Sequence, residues 1–152
     1  MKRFVAAVFG LLCMVISHPA NAALWTTECN DQRCGFSIAI TENASQKKLV
    51  VFTVLSPKNT DSPSDLIVTP LGAALEPGAR ILFGQEELVL FFKVCLNDGC
   101  RAFADVTDSQ LDKLVAAKMI EVRFFAQTQP APYSVKFAAD GLAEAIAAAR
   151  KP

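Results

Sequence analysis

Histidine is almost absent from this chain. The one copy, His18, lies in the first 22 residues, which read as an export signal. Once that segment is removed, no imidazole remains. Ser-His-Asp and Cys-His nucleophile systems are then excluded, as are histidine zinc sites and facial triads. Proton transfer would fall to carboxylates, lysines or Tyr133, the only tyrosine. Positive charge is thin as well. Of 15 Lys and Arg residues, Lys2 and Arg3 belong to the leader, which leaves 13 against 15 acidic residues. The longest basic run after the leader is Lys47-Lys48. A mature chain that is slightly acidic and lacks a basic cluster is a poor match for nucleic acid or an anionic membrane surface. No apolar run of ~20 residues follows the leader, so no transmembrane segment is expected after signal cleavage.

The leader has the three parts of a signal peptide. Met1-Lys2-Arg3 is the positive start, Phe4 to Ile16 is an apolar run short of the ~20 residues that span a bilayer, and Ala20-Asn21-Ala22 is an A-x-A site behind His18-Pro19. Cleavage after Ala22 is expected, giving a signal peptide over 1–22 and a single domain over 23–152. A retained anchor helix is the alternative. Cys13 does not form a lipobox, because Leu12 before it is not small.

The other four cysteines stand in matched pairs, Cys29-x4-Cys34 and Cys95-x4-Cys100. The intervening residues are turn formers: Asn30-Asp31-Gln32-Arg33, and Leu96-Asn97-Asp98-Gly99 with its strong Asp-Gly dipeptide. If each set of four is a hairpin loop, the flanking cysteines oppose each other at a separation that suits a disulfide. Four cysteines allow three connectivities. Hairpin geometry favours 29–34 with 95–100. Loop entropy alone does not choose: a small ring is worth about 2 kcal/mol and a long bridge such as 29–100 about 4. A four-cysteine zinc site would prefer C-x2-C spacing, and a redox motif would need C-x-x-C. The cysteines therefore point to an oxidising compartment, periplasmic, outer-membrane-associated or secreted. No cofactor or metal is expected.

Elsewhere the hydrophobic period is mostly two. Strands are expected at Trp25–Glu28, Gly35–Thr41, Leu49–Leu55 (apolar on both faces), Asp65–Thr69, Ala79–Phe83, Leu88–Leu96, Cys100–Val106, Ile120–Gln127 and Tyr133–Ala138. Ser56–Ser64 reads as a polar loop, Gly84-Gln85-Glu86-Glu87 and Gln129-Pro130-Ala131-Pro132 as turns, and Asn43-Ala44-Ser45 as a sequon in a surface turn. Thr107-x-x-Gln110 is a capping box, and Leu111, Leu114 and Val115 make a helical stripe, so a helix is expected over Asp108–Lys118. A second helix, Gly141–Arg150, would dock by Leu142 and Ile146. The fold class is mainly β: an antiparallel β-sandwich with two short helices, one after the second cysteine pair and one C-terminal.

Several features occur together in order: Trp25 before Cys29; Pro70-Leu71-Gly72 with Gly78 downstream; Phe92-x-x-Cys95 with Gly99-Cys100-x-Ala102; a helix after Val106; and Phe137-x-x-x-Gly141-Leu142-x-x-Ala145. In this the chain resembles the invasion-associated locus B family of exported proteins from alphaproteobacteria. The resemblance implies a disulfide-containing β-sandwich of the periplasm or outer membrane, and no catalytic residue.

Three functions compete. The first is a non-enzymatic envelope protein that binds a protein partner by a sheet face or edge strand, with a role in host interaction or envelope maintenance. The second is a small-ligand module that uses Trp25, Phe91 and Tyr133. The third is a carboxylate hydrolase that uses Glu86, Glu87, Asp98 or Asp105. Turn carboxylates are usually just solvated, and strand aromatics usually belong to the core. The partner-binding reading is preferred.

Overall fold

The computed structural model describes residues 25–41, 48–57 and 64–149; the expected signal peptide, Cys13, the sequon and most of the 56–64 loop lie outside them. All nine expected strands and both helices are present: β1 (Thr26–Cys29), β2 (Arg33–Thr41), β3 (Lys48–Pro57), β4 (Ser64–Thr69), β5 (Ala79–Phe83), β6 (Glu86–Leu96), β7 (Gly99–Asp105), α1 (Asp108–Ala116), β8 (Met119–Phe124), β9 (Tyr133–Ala138) and α2 (Leu142–Ala149).

Where boundaries differ from expectation, local hydrogen bonding explains the change. The Gly84 region closes as a two-residue turn, so Glu86 and Glu87 are already paired with Phe83 and Leu82. The second cysteine turn tightens in the same way to Asn97-Asp98, with Leu96 opposite Gly99. β8 stops at Phe124 because the chain beyond it pairs with the β4–β5 connection: Ala126 bridges Ala73, and the Ala74 N–H donates to the Phe125 carbonyl at 2.8 Å. The expected capping box is fully formed, since Thr107 Oγ1 accepts from the Gln110 N–H while the Gln110 side chain accepts from the Thr107 N–H. α1 ends at Ala116 because Ala117 turns extended and feeds β8.

The strands form one antiparallel sheet in the order β1-β2-β3-β4-β7-β6-β5-β8-β9. The two layers expected of a sandwich are the two wings of this sheet. β6 joins them: Glu86–Leu90 pair with β5, and Phe91–Leu96 pair with β7. The sheet curls until distant strands meet. Phe52 of β3 lies 5.6 Å from Phe137 of β9, ring centre to ring centre, and Trp25 packs edge-on against both. Alternation decides what is buried. Phe36 and Ile38 of β2, Phe52 and Val54 of β3, Ile81 of β5, Leu90 of β6 and Ile120 and Val122 of β8 face the core. β3 is covered on one face and partly covered on the other, with Thr53 buried and hydrogen-bonded to Ser37 at 2.8 Å. α2 lies against β1 and β2 and buries Leu142 and Ile146, the expected stripe. The Trp25 indole N–H donates to the Asp140 carbonyl just before it, at 3.0 Å. Among the described residues no helix is long and apolar enough to cross a membrane.

A one-residue bulge in β6 sets the second cysteine pair. Phe92 opposes Ala102 and Val94 opposes Arg101, which leaves Lys93 unmatched. A slip of one residue exchanges the two faces of a strand. Before the bulge Leu88, Leu90 and Phe92 point inward and Val89 and Phe91 outward; after it Val94 points outward and Cys95 meets Cys100.

Gly99 is pinned by this turn. It has φ 141°, and a Cβ there would sit 2.2 Å from the Thr69 carbonyl oxygen of β4. Gly84 also has positive φ, 61°, but a Cβ there meets nothing within 4 Å. Gly84→Ala therefore costs only the left-handed penalty, about 1 kcal/mol, whereas Gly99→Ala adds a backbone clash and costs about 3 kcal/mol or more. Urea unfolding of the two variants checks this; equal losses would contradict the close approach.

Candidate functional site

The cysteines sit where the hairpins put them. Cys29 opposes Cys34 and Cys95 opposes Cys100, with Cα separations of 4.0 and 3.9 Å and sulfurs at bonding distance. The first turn is held by Asn30, whose Oδ1 accepts from the N–H groups of Gln32 and Arg33, both at 2.9 Å. Cys34 lies level with Ser56 of β3, while Cys100 opposes Thr69, beside the Val68–Val51 pair. The two clamps are therefore about six residues apart along β3, roughly 20 Å at ~3.3 Å per residue. They close opposite ends of the larger wing and cannot share a metal ion. Among the described residues no group of three or more His, Cys, Asp or Glu residues is arranged to hold a metal.

Asp98 lies apart from the other three candidate carboxylates, and Glu86, Glu87 and Asp98 are each held in an ion pair of their own. Glu86 pairs with Lys113 of α1 at 2.6 Å. Glu87 is the next residue on the same strand, so it points to the other side, where it pairs with Arg80. Asp98 holds Arg101 through two bonds, at 3.0 and 2.8 Å, and this guanidinium keeps its carboxyl below the ordinary aspartate value. β6 separates Asp98 from Glu86 and Glu87 by roughly 30 Å of strand. Asp105 closes β7 at the end opposite Asp98, the end nearer Glu86 and Glu87, and has its own interaction.

The three candidate aromatics are also dispersed. Trp25 belongs to the seam between the wings. Tyr133 stacks on Phe124, with ring centres 5.4 Å apart. Phe91 is 59% exposed on the outer face of β6. Along β6 that face is apolar around Phe91: Val89 precedes it, Phe103 opposes it on β7, and Val94 and Leu96 follow beyond the bulge, where Arg101, paired with Asp98, stands between Val94 and Val68.

The neighbouring outer face of β5, β8 and β9 carries a charged array that no motif announced. Arg80 stands directly opposite Arg123 across β5 and β8, and Arg123 stands opposite Ser134 of β9. Glu121 accepts from Arg123 Nε at 2.5 Å and from Ser134 Oγ at 2.6 Å, with Lys136 Nζ at 3.6 Å from its other oxygen. These contacts, Arg123 foremost, pull the Glu121 carboxyl from its ordinary 4.5 down to about 2. A cleft of about 250 Å³ opens beside the array, lined by Gly78, Arg80, Glu87, Arg123, Phe125 and Pro132. Strand alternation gave a partial signal, because Glu121 and Arg123 are two apart and must share a face. The register that sets Arg80 against Arg123 is a pairing between distant segments, which one sequence does not carry.

The family model described as "Invasion associated locus B (IalB) protein" matches residues 25–150. The chain belongs to the IalB family. A crystal structure of invasion associated protein b from Bartonella henselae matches with a TM-score of 0.72 at 17% identity, covering 87% of this chain and 95% of that one, which shows a shared fold. Comparison with curated proteins gives no match. In this IalB chain the motif residues mostly serve architecture. Trp25, Phe137, Gly141 and Leu142 meet at the seam. Gly72 accepts the Gln127 N–H, and Phe92, Cys95, Gly99 and Cys100 set the bulged hairpin.

The lowered Glu121 value fixes a sign. Protons bind the unfolded chain first, so the stability from these contacts is complete above pH ~4.5 and is lost as the pH falls towards about 2. Glu121→Gln is expected to lower the thermal midpoint most above pH ~5, with the gap to the native protein closing towards pH ~2. A gap that stays constant across this range would contradict the array.

Proposed function

We propose that this IalB-type chain is exported, loses residues 1–22, folds as one domain over 23–152 with both cysteine pairs oxidised, and acts in the cell envelope by binding a protein partner. It does so without catalysis. The signal pattern and the two cysteine clamps support export to an oxidising compartment, periplasmic or outer-membrane-associated. Host interaction or envelope maintenance is the role that this reading favours, in keeping with the name carried by the Bartonella protein.

One observation carries the binding reading. Val89, Phe91, Val94 and Leu96, from 37% to 59% exposed, face solvent along a single strand. Scattered apolar residues are ordinary on a surface, but a row of four along one outer strand, flanked by Arg80 and Arg101, offers an apolar line with charged edges for a partner to cover. Large rigid aromatics such as Phe91 are the side chains that dominate such contacts. The commitment of Glu86, Glu87 and Asp98 to separate ion pairs and the spread of Trp25, Phe91 and Tyr133 favour this reading over the hydrolase and stacking-ligand readings.

The test is crosslinking in intact envelopes followed by mass spectrometry, comparing the native protein with Phe91→Ser and Val94→Ser. A captured protein should fall by roughly tenfold or more when an anchor side chain is lost. Undiminished capture by both variants would overturn this face as the binding surface.

A further inference from the structure

We propose that the cleft between β5 and β8 receives a carboxylate group of the partner that covers the apolar stripe, an inference that rests on the partner-binding reading. The row across the outer face runs Val89, Arg80, Arg123, Ser134, one residue from each of β6, β5, β8 and β9. Like charges set directly opposite each other on neighbouring strands destabilise a sheet. Here two guanidiniums are so placed, and both line the cleft. Their glutamates take only part of them. Arg80 engages Glu87 through Nη1, Arg123 engages Glu121 through Nε, and a guanidinium offers five N–H donors. The side chains remain 48% and 42% exposed.

The charges facing this spot are Arg80, Arg123 and Lys136 against Glu87 and Glu121, a surplus of one positive charge on a chain that is slightly acidic once the leader is gone. Glu87 in the cleft wall bonds Arg80 and also acts on Arg123, and Glu121 holds Arg123 Nε. A partner carboxylate lying between the two arginines would accept from the N–H donors that these glutamates leave open, the geometry that makes arginine selective for carboxylates. Phe125 and Pro132 supply apolar walls, and the volume of about 250 Å³ suits one side chain or a chain end.

The distance to the apolar stripe sets the spacing in the partner. Strands lie ~4.8 Å apart, so the midpoint between Arg80 and Arg123 is about 7 Å from Val89. That is the distance between residues i and i+2 of an extended segment, which point to the same side. The recognised pattern is an apolar residue followed two positions later by a carboxylate, from either an acidic side chain or the chain's own C-terminus.

Three peptides test this against the isotope-labelled mature protein by NMR, reading the Gly78 amide and the Arg80 and Arg123 Nε–H signals. They are acetyl-Ser-Leu-Ser-Glu-amide, acetyl-Ser-Leu-Ser-Gln with a free C-terminal carboxylate, and the neutral acetyl-Ser-Leu-Ser-Gln-amide. At least one acidic peptide should bind roughly tenfold more tightly than the neutral one. Arg80→Gln should abolish the preference while leaving the thermal midpoint nearly unchanged, because its ion pair is exposed. Arg123→Gln should abolish it too, with a fall in midpoint like that of Glu121→Gln, since it breaks the same contact. Whichever acidic peptide is preferred identifies the source of the carboxylate. Equal binding of the neutral peptide, a preference that survives both substitutions, or no shift from any peptide would overturn the inference. The envelope capture that depends on Phe91 and Val94 is a separate readout and would stand or fall independently.

Discussion

The molecule is organised by a single strand with two sets of neighbours. β6 gives its first five residues to β5 and five of its remaining six to β7, with Lys93 unmatched at the bulge, so the sheet must turn about it. A strand that serves both wings fixes how they meet, and it is the reason that a single continuous sheet can enclose a core between two layers. The bulge at Lys93 exchanges inner and outer faces in mid-strand. That exchange lets one strand bury Leu88 and Leu90, bring Cys95 to Cys100, and still leave Val89, Phe91 and Val94 on a common outer face.

The seam opposite β6 completes the curl. Trp25, Phe52 and Phe137 meet edge to face across it, α2 buries Leu142 and Ile146 beside them, and the indole N–H is tied to Asp140. Aromatic contacts of this kind add about 0.5–1.5 kcal/mol each beyond the area they bury. The two cysteine clamps hold the ends of the larger wing. Within the IalB pattern, these residues maintain shape. The surface features that differ in kind, the exposed stripe of β6 and the facing arginines of β5 and β8, lie outside it and are the ones on which the proposed recognition rests.

Much of this was legible from residue order. Alternation placed most of the strands, a continuous apolar run placed β3, the Thr107–Gln110 box placed α1, and the turn-forming residues between the cysteines placed the two hairpins that bring their sulfurs to bonding distance. What was hidden is non-local. The curl depends on Phe52 meeting Phe137, and the bulge depends on Val94 pairing with Arg101, contacts between segments that no local pattern connects. The arginine row was hidden for the same reason, since Arg80 and Arg123 are neighbours only through register. The exposed stripe is half visible in the sequence: Phe91 stands out as an aromatic on a strand, but only the structure separates it from Phe92, which packs against the core.

Backbone hydrogen exchange of the mature protein, with and without solubilised envelope fraction, tests the central claim most directly. If a partner covers the outer face of β6, exchange should slow from Val89 to Leu96 and in the facing strand Gly99–Asp105, while the seam at Trp25, Phe137 and α2 stays as it was. Protection confined to the seam, or no protection in either strand, would contradict the account.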